Sequence, residues 1–459
     1  MQNTISRRGA LKTIVLLAWP TMLEQILQTA VSYVDSAMVG RIGAHATAAV
    51  GATTTVNWLV NSSISALSIG FLAYISRELG AKKPEHARKA VAQATLVTII
   101  VGLLCTIVSL SLSHAIPSWM QAGTDILEDA SRYFFILYAP MLFRAAIIIF
   151  GTCLRATGDT RTPLYVNTVV NLVNIVLNYL LIYPARQVRL LGFEFAMPGA
   201  GMGVTGAALA SAIAFVVGGV GMTAMVLRHP LISPRGLPLR PDGEILRPCL
   251  KVALPCALQR FGTSFGYVSF ASMINGLGTT AIAAHSIANT AESAFYIPGY
   301  GMQTAAATLA GNCYGARDKQ RMRQISRMMI LLEVALMTLS GATLFLSARA
   351  LMQVFTRDAA VIALGARVLR MVALSEPIYG VAVILEGVFQ GVGDTKSTFV
   401  FNIIGMWGVR ILGTFIMLHF FGGGLTAAWG CMIAHNILLG TMLLTRYLRG
   451  KWNPLNREA

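Results

Sequence analysis

The sequence predicts an all-α membrane protein in which twelve transmembrane helices form two parallel-repeat six-helix lobes around a central cavity. Three observations predict it: an apolar composition, apolar runs of membrane-crossing length along the whole chain, and an internal repeat that sorts those runs into two sets of six. Of the 459 residues, 55% are hydrophobic and only 12% are charged, about half the charged fraction of a soluble domain. A helix needs roughly 20 apolar residues to cross hydrocarbon. The strands of a membrane barrel would be shorter and would alternate polar with apolar. No such alternation occurs, so the runs are read as helices.

In chain order the spans are expected near 14–40, 51–76, 90–114, 130–154, 162–183 and 200–227, then near 245–274, 283–310, 324–347, 360–390, 397–421 and 424–446. A longer loop, Pro184 to Gly199, follows the fifth span. The sixth opens on Gly201-Met202-Gly203-Val204-Thr205-Gly206, a GxGxxG match by letter. With no strand expected before it and no acidic ribose partner after it, it reads as a glycine-rich helix start. The stretch 228–247 carries Pro230, Pro234, Pro238 and Pro241 with four arginines and reads as a cytoplasmic linker. It separates a first lobe, 1–227, from a second, 248–459.

A shift of 235 residues brings the halves into register. Pro20 falls on Pro255, Met38 on Met273, Gly43 on Gly278 and Ala48-Ala49 on Ala283-Ala284. Gly80-Ala81 falls on Gly315-Ala316, Gly158-Asp159-Thr160 on Gly393-Asp394-Thr395, and Asn167 on Asn402. Six spans per repeat is an even number, so the repeats are parallel, related by an axis along the membrane normal. Two-lobed bundles of this kind place a substrate cavity between the lobes and expose it to either side by rocking.

The net charge of +17 is a matter of topology rather than of nucleic-acid binding. Twelve spans put both termini and the even-numbered loops on one side, and that side holds 25 of the 36 lysines and arginines. Positive residues stay in the cytoplasm, so both termini are expected there. The bilayer is expected to be the cytoplasmic (inner) membrane of a bacterium or archaeon. Ser6-Arg7-Arg8-Gly9-Ala10-Leu11-Lys12 looks like a twin-arginine signal, but the apolar run behind it is too long and shows no small-residue cleavage site. It reads as the flank of the first span. Cysteines 105, 153, 249, 256, 313 and 431 lack the paired spacing of a disulfide framework or zinc site. Asn61-Ser62-Ser63 is a glycosylation sequon by letter, buried inside a span. No phosphate loop, metalloprotease helix or catalytic triad is present, so neither an enzyme nor an ATP-driven pump is indicated.

Polar side chains inside spans are costly and mark function by default. Glu24, Gln28 and Asp35 form one stripe on the first span at i, i+4 and i+11. Asn57, Asn61 and Ser65 do so on the second, and Asn167, Asn171, Asn174 and Asn178 on the fifth. Amides in such positions also serve as hydrogen-bond glue between helices, at about 0.6 kcal/mol each. The first half is expected to enclose a polar chamber around Asp35. That carboxylate could alternate between protonated and ionised forms, or hold a metal cation with amide oxygens beside it. The second half keeps none of this set: Asp35 maps to Phe270, Asn171 to Met406, Asn174 to Val409 and Asn178 to Gly413. It carries Arg260, Glu292, Glu386 and Arg410 instead. The arginines read as structural partners; Glu292 and Glu386 are equally candidates for substrate contact.

Trp19-Pro20, Val34-Asp35-Ser36-Ala37-Met38-Val39-Gly40, Gly80-Ala81 before a basic loop, and the twice-used Gly-Asp-Thr resemble the multidrug and toxic compound extrusion (MATE) family over essentially the whole chain. The resemblance implies export of cationic or amphipathic compounds in exchange for protons or sodium ions, with no other cofactor. Asp35 matches the family's first-helix aspartate, central to cation coupling. Asn174 and Asn178 fall where some prokaryotic members carry an Asn and an Asp, and Ser211 where those members have a Thr. With Asn178 in place of an acid, coupling would rest more heavily on Asp35. The second-lobe acids of another branch are replaced here by Thr263 and Tyr379. The rival reading is a lipid-linked oligosaccharide flippase of the same superfamily, kept alive by Arg144, Arg260 and Arg410. A complete cavity within one chain would make a monomer sufficient.

Overall fold

The computed structural model describes residues 7–120, 122–190 and 193–456. The first repeat runs α1 (Arg7–Gly40), α2 (Ala44–Gly80), α3 (Pro84–Ser111), the short α4 (Ala115–Trp119), α5 (Leu127–Tyr138), α6 (Met141–Ala156) and α7 (Arg161–Ile182). Strands β1 (Pro184–Leu190) and β2 (Phe193–Ala200) follow, then α8 (Gly203–Arg228). The second repeat runs α9 (Gly243–Asn275), α10 (Thr279–Gly315), α11 (Lys319–Phe355), α12 (Ala359–Ala373), α13 (Glu376–Val392) and α14 (Thr395–Ile403). A π-helical stretch, Ile404–Ile411, leads into α15 (Leu412–His419) and then α16 (Leu425–Leu448).

Counted as spans these are twelve, six to a repeat. Eight are single helices long and apolar enough to cross a membrane, α14–α15 with its π stretch being one of them. Two more are helix pairs, α5–α6 bent by 50° and α12–α13 bent by 54°. Helices α9 and α10 complete the set; they are as long but diluted by Lys251 and Arg260 in the one and Asn289, Glu292 and Gln303 in the other.

The repeat extends to backbone conformation. The bends fall at residues 139–140 and 374–375, the same 235 apart. Each has proline nearby, Pro140 and Pro377, which denies the helix a donor and crowds the preceding turn. Lys82 and Arg317 are the two non-glycine residues with positive φ among those described, at 58° and 53°, again 235 apart. Gly158 and Gly393 of the twin Gly-Asp-Thr motifs have φ of 90° and 85°. Each ends a helix in the left-handed region that a side chain would resist. The aspartate then serves the next helix: Asp159 Oδ1 accepts from Thr162 N at 3.0 Å, and Asp394 Oδ1 from Ser397 Oγ at 2.7 Å.

Two differences from expectation stand out. The segment 184–200 is an antiparallel hairpin rather than a plain loop, pairing Val188 with Phe195 and Leu190 with Phe193. A strand therefore does precede Gly201, although among the described residues the hairpin has no crossover partner of the nucleotide-binding kind. Packing also divides the chain differently from lobes of 1–227 and 248–459. The C-terminal unit takes in Met1–Gln25, Leu72–Lys83 and Arg247–Ala459; the N-terminal unit is Ile26–Phe71 and Pro84–Leu246.

Small residues explain the exchange, since without a hydrophobic drive between helices in lipid, close backbone approach decides who packs with whom. Within the C-terminal unit, Gly301 lies against the backbone of Thr21 and Met22, and Thr21 Oγ1 donates to Gly301 O at 2.8 Å. Gly80 meets the Asn312 backbone, and Gly315 that of Arg77. Ile14 and Ala18 of α1 join Ala305, Ala306 and Leu309 in one apolar core. In the N-terminal unit the expected linker is held against α3: Gln93 Nε2 donates to Arg240 O at 2.7 Å and Arg88 Nε to Ser233 O at 3.0 Å.

Candidate functional site

Residues 26–40 of α1 belong to the N-terminal unit, where Asp35 meets α7. The asparagines of α7 repeat at helical spacing, so one face of that helix is lined with amides. Asn174 and Asn178 are buried on it. Asn178 Nδ2 donates to Asp35 Oδ1 at 2.7 Å and to Asn174 Oδ1 at 3.1 Å. Asn174 Nδ2 donates to Ser211 Oγ on α8 at 3.1 Å. Turned over, the same amide donates to both Asp35 oxygens, at 2.8 and 3.2 Å, and accepts from Ser211. In either sense one carboxylate, two amides and one hydroxyl form a continuous group, and Asn178 Oδ1 is left buried without a partner among the described residues.

A second buried charge sits in the same unit. The Arg144 guanidinium lies over the Phe215 ring at 4.7 Å, and its Nη1 donates to Asn57 Oδ1 at 2.6 Å. Phe215 lies four residues along α8 from Ser211, about one helical turn. Tyr133 on α5 lies in the field of both Asp35 and Arg144.

Of the residues expected to act together, the structure joins Asp35, Asn174, Asn178 and Ser211. It sends the others elsewhere. Asn57 is engaged by Arg144, while Asn61 and Asn171 are half-buried outside the bonded group and Gln28 is exposed. Glu24 is buried, but on the part of α1 that belongs to the C-terminal unit. There, Glu386 Oε1 accepts from Gln259 Nε2 at 3.2 Å and from Asn402 Nδ2, and its Oε2 from Gln303 Nε2 at 3.2 Å. Arg260 lies in the field of Glu386, and Arg410 in that of Glu292. Arg410 stacks on Tyr267 at 4.8 Å and Phe270 at 4.2 Å. Sequence reasoning did not find Tyr133, Gln259 or Gln303, because a single tyrosine or glutamine carries no periodic signal.

Chemically the Asp35 group can take up and release a proton. Its oxygens, Asp35 Oδ1 and Oδ2, Asn178 Oδ1, Asn174 Oδ1 and Ser211 Oγ, are also the kind a hard monovalent cation takes.

Twelve helices in two repeats, with an acid and amides bonded at membrane depth, define a multi-pass membrane transporter rather than an enzyme. The MatE family model matches residues 20–180 and again 255–416, once per repeat, and the chain belongs to that family, the MATE transporters. It is 27% identical to the "Probable multidrug resistance protein NorM" of Thermotoga maritima, over 97% of this chain and 95% of the relative. It is 25% identical to the "Multidrug resistance protein PmpM" of Pseudomonas aeruginosa, over 88% and 83%. Among solved structures it shares the fold of an outward-facing multidrug resistance MATE family transporter of the MOP superfamily: TM-score 0.88, 23% identity, 100% and 99% covered. A Pyrococcus furiosus MOP superfamily transporter described as having a binding pocket of reverse polarity superposes at TM-score 0.87, with 22% identity over 99% of each chain.

Proposed function

We propose that the chain is a secondary antiporter that exports cationic or amphipathic organic compounds in exchange for H+ or Na+, with Asp35 as the coupling carboxylate. The observation that carries this reading is the bonded group Asp35–Asn178–Asn174–Ser211. An ionised Asp35 is stabilised by amide donors at 2.7 and 2.8 Å. A protonated Asp35 becomes a donor, and Asn174 Oδ1, which in the unturned amide lies 2.8 Å from Asp35 Oδ1, is there to accept. Amides accept either role without a change of charge. Two hydrogen-bond patterns are therefore available to one set of side chains, and binding of a cation chooses between them. A ligand that prefers one pattern shifts the population toward it, which is how coupling to the rocking of two repeats would arise.

The flippase reading asks for guanidinium groups free of acids. Arg260 and Arg410 each lie in the field of a glutamate, Glu386 and Glu292, whereas Arg144 is engaged by the neutral Asn57. The two acid partners favour the antiporter.

The test is efflux of a fluorescent cation such as ethidium from proteoliposomes, under an imposed proton or sodium gradient in separate runs. One gradient should drive the wild type, and Asp35→Asn should abolish that efflux. Normal transport by Asp35→Asn would overturn the coupling role.

A further inference from the structure

The C-terminal unit buries carboxyl groups that the Asp35 reading leaves unused. Glu333 on α11 is fully buried, and neither of its carboxyl oxygens has a hydrogen-bond partner among the described residues. Glu376, in the first turn of α13, is 2% exposed with Oε2 unpartnered. Glu376 feels the fields of both Glu333 and Glu292. Room for the two side chains is made by glycines on three helices. A Cβ at Gly299 of α10 would strike Glu333 Oε1. One at Gly380 of α13 would come within 3.1 Å of Glu333 Cγ, and one at Gly341 of α11 within 3.2 Å of Glu376 Cβ.

Glu386 shows the contrast. It is half-buried in the same unit, and Gln259, Gln303 and Asn402 all donate to it, the environment a carboxylate requires. Glu333 has no donor. An ionised carboxylate taken from water without a compensating partner costs several kcal/mol or more, and the cost is avoided only by neutralising it.

We propose that Glu333 and Glu376 form a second proton-binding pair, separate from Asp35, at the break of the α12–α13 span. While α10, α11 and α13 pack as they do, the pair holds protons. When that packing opens to water, a proton leaves. Glu376 is the member placed to ionise first, because it sits in the first turn of a 17-residue helix, where the helix dipole favours negative charge. Glu333 then keeps its proton, since two adjacent carboxylates repel.

Of the charged and titratable groups on the neighbouring helices, Arg370 on α12 lies over Phe345 and Arg446 on α16 pairs with Asp394 at 2.7 Å, while His435 on α16 lies beside Gly405 with neither ring nitrogen hydrogen-bonded among the described residues. On α10 the titratable neighbours are Glu292 with Arg410 facing it, Tyr296, which also packs on Tyr379 of α13, and Tyr300, hydrogen-bonded to Tyr379 at 2.7 Å.

The experiment is a pH titration of the purified full-length protein in lipid nanodiscs, followed by infrared difference spectroscopy of the protonated-carboxyl C=O band. Wild type is compared with E333Q/E376Q, E376D and D35N. We expect a titrating carboxylic-acid band that is lost in E333Q/E376Q, present in E376D and present in D35N. A band unchanged in the double variant, or lost in D35N alone, overturns the proposal. Because the double variant could misfold, wild-type protein is also treated with dicyclohexylcarbodiimide, which modifies protonated carboxyls in apolar surroundings. Modified Glu333 or Glu376 in the peptide masses supports the pair; labelling of neither overturns it. Failure of the Asp35 reading would show in D35N efflux and leave these results unchanged.

Discussion

Asparagine presents both a donor and an acceptor without carrying charge, and at membrane depth this chain uses that property in two ways. Asn178 and Asn174 serve an acid whose ionisation can change. Asn57 serves a guanidinium whose charge does not, through one bond of 2.6 Å. The two uses separate experimentally. Asn57→Leu leaves a buried Arg144 donor unpaired, a loss of about 1–3 kcal/mol, read as a lower midpoint of thermal unfolding in detergent. The ion that drives efflux should not change. A switch of driving ion in Asn57→Leu would instead place Asn57 in the coupling group. The amide stripe on α7 was legible from its spacing. Which of its members meet Asp35 was not, because a helical face spans several neighbours and only the packed partner picks among them. Glu333 and Glu376 were passed over for a related reason: each is a lone acid in an apolar run, and its missing partners show only in three dimensions.

At the scale of elements, the twin Gly-Asp-Thr motif is a device for ending one helix and starting the next. Gly393 has φ of 85° and an added Cβ would find only Val252 Cγ2, at 3.5 Å. Space is therefore available and the backbone alone resists. Gly393→Ala should cost about 1–2 kcal/mol, the penalty of the left-handed conformation for a side chain. Thermal unfolding of the purified variant checks this, and an unchanged midpoint would show that the helix ends there for another reason. The bent spans are of the same kind. Hydropathy over 130–154 and 360–390 predicts one helix each, because a bend leaves apolar content unaltered. Pro140 and Pro377 were the available signal. The π stretch at 404–411, which carries Arg410, follows one extra residue per turn in the backbone bonding and leaves no mark in composition.

Over the whole molecule, charge placement makes a prediction that the fold does not. If the basic side faces the cytoplasm, a cysteine introduced at Lys319 into a cysteine-free variant should resist an impermeant maleimide in intact cells. One at Arg357, beyond α11, should react. The reverse pattern would invert the topology. The sequence by itself determined the number of spans, the repeat and its register, and the amide-and-acid chemistry of α1 and α7. Those follow from local rules of hydrocarbon thickness, helical period and the cost of polar groups in lipid. Only the tertiary structure decided that the two ends of α1 pack in different units, parting Glu24 from Asp35 on one helix. It alone decided that Arg144 engages Asn57 and that Glu333 lies without a partner. The physical reason is that close helix packing is set by small residues distant in sequence, such as Gly301 against Thr21 and Gly315 against Arg77, and no window along the chain contains both sides of such a contact.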